Sequence, residues 1–142
     1  GHFITHAGGM KCACGMKGCF EMYASAGALS RLAGGARARV VIDSARQGNE
    51  RMMEAVRRYA REISIGVCSL YMLFRPQAIV LGGGVSAAGD ILRREILANV
   101  DHAYNFDCVD IESALRFAKM GNDAGMAGAA ALARMNLTAA NQ

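Results

Sequence analysis

The segment GHFITHAGGMKCACGMKGCFE (residues 1–21) determines how the start of this chain folds, because it carries three cysteines and a histidine at short spacing. Cys12, Cys14 and Cys19 lie within eight positions, and His2 stands ten residues before Cys12. Thiolates and an imidazole are the ligands of a closed tetrahedral zinc site. The glycines between them let a short chain fold back until four ligands converge. The segment therefore predicts a structural zinc site with no open coordination position.

The fourth ligand is open between two histidines. His6 is closer to Cys12 than His2 is, and residues 3–6 could form a short strand. Because side chains alternate along a strand, His2 and His6 would lie on the same face. Spacing alone leaves both histidines as candidates.

The composition is that of one globular domain. The chain has 142 residues, of which 53% are hydrophobic and 20% charged, and its formal net charge is +4. The basic residues are spread along predicted helices, which favours a solvated face over a nucleic-acid groove. No apolar run approaches the roughly 18 residues of a membrane span, so we expect no membrane partner. The two cysteines outside the cluster, Cys68 and Cys108, are isolated in apolar surroundings, which favours reduced thiols and a cytoplasmic location.

Three helices are predicted in the first half of the chain. The first runs from Phe20 to about Leu32, the second from Val40 to Gln47, and Asn49 can cap a third that Pro76 ends. In the third helix, apolar residues recur every three or four positions and form one buried face: Met52, Val56, Tyr59, Ile63, Val67, Leu70 and Phe74.

The second half alternates strands and helices, which indicates an α/β layer fold. Residues 78–81 form a short β-branched apolar run, typical of a buried parallel strand. The elements expected after it are a cap at Ser86, a helix over 88–99 that buries Ile91, Leu92 and Ile96, a strand over 108–112, a turn at 121–123 and a helix over 124–135.

The strand over 78–81 runs directly into Gly82, Gly83 and Gly84. Glycines there allow a ligand to approach the backbone, and the helix N-terminus that follows favours anions. A glycine run can equally be a plain tight turn. The sequence matches neither a Walker A loop nor a GxGxxG fingerprint, so a P-loop enzyme or a Rossmann dehydrogenase is not indicated. Glu21, in the first turn of its helix, is by itself typical of a dipole-stabilising surface residue.

Several blocks together resemble the ROK family (repressors, open reading frames and sugar kinases). The most specific block is CxCGxxGCxE over 12–21. The others are Gly1-His2, YAS over 23–25, VLGGGVS over 80–86 and GNDAG over 121–125. Within the family, the segments CFEMYASAGAL and GNDAGMAGAAALA are most similar in sequence to the bacterial glucokinases.

The resemblance implies an ATP-dependent hexose kinase with an actin-like (ribonuclease H-like) ATPase fold. It implies that His2, rather than His6, completes the zinc site with Cys12, Cys14 and Cys19, and that His2 also contacts a sugar hydroxyl. It further implies that Glu21 hydrogen-bonds the sugar and that residues 82–84 lie beside ATP, which is used with Mg²⁺. Glucose is the leading hexose, and a homodimer is common in such a family.

Much of the family pattern is absent from these residues. The phosphate loop and the Asn-Asp pair that supplies the catalytic base lie in a preceding lobe, so no catalytic residue is assigned. We therefore expect residues 1–142 to be an incomplete C-terminal lobe, inactive alone. In it, 1–21 is the zinc and sugar-binding loop and 76–142 the nucleotide-side part. The absent first strands would leave an exposed sheet edge, which favours self-association.

Two other functions fit the same residues. One is the sensor half of a ROK sugar-responsive transcriptional repressor, which would add a nucleic-acid partner through an upstream helix-turn-helix segment. The other is a zinc-stabilised interaction module that has no small-molecule site. The glucokinase-like sequence of these segments and the intact glycine run favour the kinase.

Overall fold

The computed structural model describes residues 1–84, 88–103, 110–120 and 123–139, with side chains described except at 101–103 and 135–139. These ranges contain helices and two short strands, which confirms an α/β chain. In order they are α1 (Glu21–Ala24), α2 (Ala26–Leu32), α3 (Ala38–Arg46), α4 (Glu50–Phe74), β1 (Ile79–Leu81), α5 (Asp90–Ala103), α6 (Ile111–Ala114), β2 (Leu115–Phe117) and α7 (Asp123–Ala139).

The long helix α4 is the centre of the core. The Asn49 side chain caps it by accepting a hydrogen bond from the Met52 backbone N–H (3.1 Å). Arg75, in the left-handed conformation just before Pro76, ends it. The other helices α1, α2, α3 and α5 all pack on α4. Most of the predicted face is buried, but Phe74, in the last turn of α4, is 71% exposed.

The single helix predicted over 20–32 is wrong, because Ser25 divides it. Ser25 has an extended backbone (φ −87°, ψ 166°), and its hydroxyl oxygen accepts a hydrogen bond from the Ala28 N–H (3.2 Å). A serine side chain that satisfies a free N–H at a helix start competes with continuing the helix through that residue. The chain therefore ends α1 after one turn and starts α2 in a new direction.

Replacing Ser25 with alanine should lower the free energy of unfolding by about 1 kcal/mol, because the first turn of α2 loses its side-chain cap. Urea unfolding followed by circular dichroism measures the change. Ser30→Ala, in the middle of α2, is the matched control and should be neutral or slightly stabilising, since alanine has the higher helix propensity. Equal effects at the two serines would contradict the capping role.

The strands β1 and β2 pair in parallel, with Ile79 opposite Leu115 and Leu81 opposite Phe117. The strand predicted over 78–81 is confirmed, but only one of its faces is covered: Ile79 is buried whereas Val80 is 60% exposed. The strand predicted over 108–112 is wrong in its described part. The Asp110 side chain accepts a hydrogen bond from the Ser113 N–H (3.0 Å) and starts the short helix α6, so the strand begins only at Leu115.

The remaining helices follow the predicted pattern closely. Helix α5 begins two residues later than predicted and buries Leu92 and Ile96, with Ile91 partly buried. The cap predicted at Ser86 lies outside the described residues, as do two residues of the turn at 121–123. In α7, every side chain from residue 123 to residue 134 is exposed. No helix in the described ranges has the length and apolar character needed to cross a membrane.

Candidate metal centre

The first twenty residues fold back on themselves through backbone hydrogen bonds. Thr5 N–H donates to the Gly18 carbonyl (3.0 Å), Gly18 N–H to the Met10 carbonyl (2.8 Å) and Cys12 N–H to the Met16 carbonyl (2.8 Å). Instead of the strand predicted over 3–6, the chain forms an isolated antiparallel bridge between Ile4 and Cys19, and a second one joins Lys11 to Lys17. This folding brings the histidine end of the segment against its cysteines.

Two glycines are required by close approach inside this loop. A Cβ atom on Gly18 would overlap the backbone carbonyl oxygen of His6, and Gly18 also has a positive φ of 80°. A Cβ on Gly9 would overlap the hydroxyl of Tyr23. Gly15 has a positive φ of 92° but open space around it. The loop is therefore tight at Gly9 and Gly18 and loose at Gly15.

The predicted ligand atoms converge on one point. One atom each from His2, Cys12, Cys14 and Cys19 lies within 4.8 Å of all the others. The distance from Cys12 Sγ to His2 Nδ1 is 3.6 Å, and that from Cys14 Sγ to Cys19 Sγ is 3.5 Å. Ligand atoms of a tetrahedral site with Zn–S bonds of about 2.3 Å stand about 3.8 Å apart. The residues present therefore fit a tetrahedral metal ion.

The electrostatics of the cluster favour a cation at its centre. Hydrogen bonds from the Met16 N–H and then from Cys19 lower the pKa of the Cys14 thiol. Burial and then the neighbouring thiols of Cys14 and Cys12 raise the pKa of Cys19 to about 12. Three adjacent sulfurs cannot all ionise without compensation, and a divalent cation supplies it.

His6 lies elsewhere. Its Nε2 atom is 3.3 Å from a carboxylate oxygen of Glu62 on α4, and its ring stacks on Tyr23 with centroids 3.9 Å apart. Of the two histidines that the spacing left open, the structure places His2 in the cluster and gives His6 different partners.

The second predicted sugar-binding residue lies beside the cluster. Glu21 Oε2 is 3.5 Å from His2 Nε2, and both side chains are about half exposed. The His2 ring therefore faces Cys12 with Nδ1 and Glu21 with Nε2. With Nδ1 on a metal, Nε2 carries the proton and can donate it in a hydrogen bond, as metal-bound histidines commonly do. The pair offers a solvent-facing donor and a carboxylate acceptor, a combination that suits a hydroxyl group.

The predicted nucleotide segment stands at the end of β1. Ala118 N–H donates to the Leu81 carbonyl (2.9 Å), so both parallel strands end at this edge. Gly83 has a positive φ of 80°, and a Cβ at Gly83 or Gly84 would meet no atom of the described residues within 4 Å. The carboxyl edge of a parallel sheet is where α/β proteins commonly bind ligands.

A cavity of about 410 Å³ lies between the loop and the helices that follow it. Neither His2 nor Glu21 lines it, so it is separate from the pair. Its walls come from the loop and from α1, α2 and α4: Met10, Met22, Tyr23, Ala28, Arg31, Leu32, Arg58 and Glu62. The sequence interpretation missed Tyr23 and Glu62 as partners of the loop. The available signal for Glu62 was a carboxylate next to Ile63 on the apolar face of α4.

Comparison with known proteins identifies the family to which this chain is similar. The model of the ROK family matches residues 1–136. The glucokinase of Streptomyces coelicolor is 31% identical over 94% of this chain and 49% of its own length. An N-acetylmannosamine kinase of Escherichia coli is 31% identical over 94% of this chain and 46% of its own length.

A solved structure extends the likeness to three dimensions. The ROK family glucokinase from Streptomyces griseus, crystallised with glucose and AMPPNP, superposes with a TM-score of 0.85 at 30% identity, over 95% of this chain and 50% of that one. The chain thus spans about half the length of the relatives it matches. On its sequence and its fold, this chain belongs to the ROK family.

Proposed function

We propose that this chain is the C-terminal portion of an ATP-dependent hexose kinase, and that His2, Cys12, Cys14 and Cys19 hold a structural zinc ion. Four protein ligands leave the ion no open position, so it supplies no Lewis-acid chemistry to a substrate. What zinc supplies is rigidity, because it ties the start of the chain to the loop that leads into α1. Support comes from the converging ligand atoms.

The observation that carries the sugar-binding proposal is the contact between His2 and Glu21. The zinc fixes the His2 ring, and Glu21 follows the last cysteine ligand by only two residues. The two side chains then present a donor and an acceptor 3.5 Å apart at the surface. Glucose is the leading substrate, because a ROK glucokinase was crystallised with glucose. The N-acetylmannosamine kinase among the relatives makes that sugar the second candidate.

The nucleotide role is assigned to Gly82, Gly83 and Gly84. The described residues leave space beside Gly83 and Gly84 at the sheet edge, which suits the phosphates of ATP with its Mg²⁺, and the related glucokinase was crystallised with AMPPNP. Phosphoryl transfer depends mainly on positioning and on stabilising charge, and this chain would contribute the positions of both substrates. The base that accepts the sugar proton is assigned to no residue of this chain.

Exposed apolar surface supports a second lobe. Val80 on the sheet and Met126 and Leu132 on α7 are each at least 60% exposed, and the relatives are about twice as long.

In this assignment residues 76–142 form the nucleotide-side part, and the kinase is a cytoplasmic homodimer. We expect the isolated chain to be inactive, since in this assignment the complementary lobe carries the base.

A kinase assay on two polypeptides tests the proposal. The 142-residue chain with ATP, Mg²⁺ and glucose should show no turnover, whereas the gene's reading frame extended upstream of Gly1 should encode a phosphate loop and phosphorylate glucose. In the extended protein, Glu21→Gln should lower kcat/KM about tenfold, because the amide oxygen still accepts a hydrogen bond but no longer carries the charge that strengthens it. A coupled assay measures both.

The control for Glu21 is Glu112→Gln, a carboxylate on α6 whose nearest described cation is Arg93 at 3.9 Å. It should leave kcat/KM unchanged. Turnover by the 142-residue chain alone would overturn the division of labour. An upstream helix-turn-helix segment in place of a phosphate loop would instead establish the repressor.

A further inference from the structure

Three residues on one face of α4 hold the metal loop and α1. They are Tyr59, Glu62 and Gly66, which recur at helical spacing and therefore point the same way. The Tyr59 hydroxyl donates a hydrogen bond to the Ala24 carbonyl (2.8 Å), and Glu62 lies 3.3 Å from His6. The Phe20 ring lies directly against Gly66. We call these three residues the docking face.

The Phe20 ring connects this face to the metal centre and to the acidic residue beside it. Phe20 stands between Cys19 and Glu21 and stacks on Phe3, with ring centroids 4.9 Å apart. Phe3 follows His2, and the two aromatic residues are also joined by a hydrogen bond from Phe20 N–H to the Phe3 carbonyl (2.8 Å). A shift of the Phe20 ring is therefore transmitted directly to Glu21, the next residue, and through Phe3 to His2.

Gly66 is in the interior of a 25-residue helix, where glycine is less stable than alanine by about 1 kcal/mol. A Cβ at this position would overlap two carbons of the Phe20 ring. The absence of a side chain thus allows the ring to approach the helix backbone. Because the overlapped atoms belong to the end of a side chain, the ring could move away without unfolding α4.

We propose that Gly66, with Glu62 and Tyr59, positions His2 and Glu21 by fixing how closely the Phe3–Phe20 stack approaches α4. The inference rests on the proposed function for the role of the pair, but the docking itself concerns only contacts within this chain. These three are positioning residues, since none of them lies in the metal cluster or in the pair.

The test uses Gly66→Ala in the 142-residue chain. The higher helix propensity of alanine should offset much of the cost of displacing the ring, so the melting temperature should change little. The displaced ring should nevertheless make zinc transfer to a chelator about five- to tenfold faster and raise hydrogen exchange at the Thr5 and Gly18 amides. Gly128→Ala on α7, where a Cβ would meet no atom of the described residues within 4 Å, is the matched control and should change neither loop measurement.

Rescue separates positioning from ordinary packing. Phe20→Leu shortens the group that the new methyl overlaps, so adding Gly66→Ala to Phe20→Leu should cause no further change in zinc transfer or exchange. Additive effects, unchanged loop exchange in Gly66→Ala, or a fall in melting temperature that Phe20→Leu does not relieve would each overturn the inference. Loop exchange is read with or without zinc and without turnover. A failed kinase assay is therefore distinguishable from failed docking.

Discussion

Cys14→Ser should abolish stoichiometric zinc binding while the helical core stays folded. A serine hydroxyl does not ionise near neutral pH, so the site loses one of its three thiolates. Structural zinc sites bind with about 10–16 kcal/mol in total, and a quarter of that is roughly 2.5–4 kcal/mol, or about 70- to 900-fold in affinity. Cys14 is the exposed thiol of the three, so its replacement disturbs packing least.

Elemental analysis of purified protein measures the effect. The unmodified chain should hold about one zinc ion, the content of a single four-ligand site, and Cys14→Ser should hold almost none after dialysis. Cys68→Ala is the matched control: Cys68 is buried in the core, where burial raises its pKa to about 11 and keeps it a thiol. That variant should lose some stability but retain its zinc. An unmodified chain that is folded and free of metal would overturn the assignment.

The sequence predicts this metal cluster well because its ligands are close together in the chain. Cys12, Cys14 and Cys19 need only a short loop to converge, and thiolates near an imidazole have few other structural uses. The core face of α4 is similarly predictable, since Val56, Ile63 and Val67 follow one helical period. In both cases the chemistry is set by residues near one another in sequence.

The parts that sequence could not predict depend on contacts between distant residues or on small local competitions. From the sequence, Ser25 is compatible with a continuous helix. The structure shows instead that its hydroxyl oxygen accepts a hydrogen bond from the Ala28 N–H. The strand expected over 108–112 shifts to Leu115 because Asp110 caps a turn of helix first. The neighbours of His6 could not be predicted, because Glu62 is 56 residues away and reaches it only through tertiary packing.

Gly18→Ala should destabilise the zinc-loaded chain far more than Gly15→Ala. Both glycines have positive φ, and an alanine in that region loses about 1–2 kcal/mol at either position. At Gly15 nothing lies near the added methyl, so we expect only that loss. At Gly18 the methyl overlaps the backbone carbonyl of His6, which is fixed and cannot rotate away as a side chain would.

The chain can relieve that overlap only by separating the two backbone segments. Separation breaks the hydrogen bonds that Thr5 and His6 N–H donate to the Gly18 carbonyl, each worth about 1 kcal/mol. The total loss at Gly18 is then roughly 3–4 kcal/mol. Urea unfolding with saturating zinc measures both variants, and equal losses would contradict the overlap. Since Gly18 precedes Cys19, the larger loss should also appear as weaker zinc binding. A variant that loosens the packing of this loop is therefore also expected to bind its metal ion more weakly.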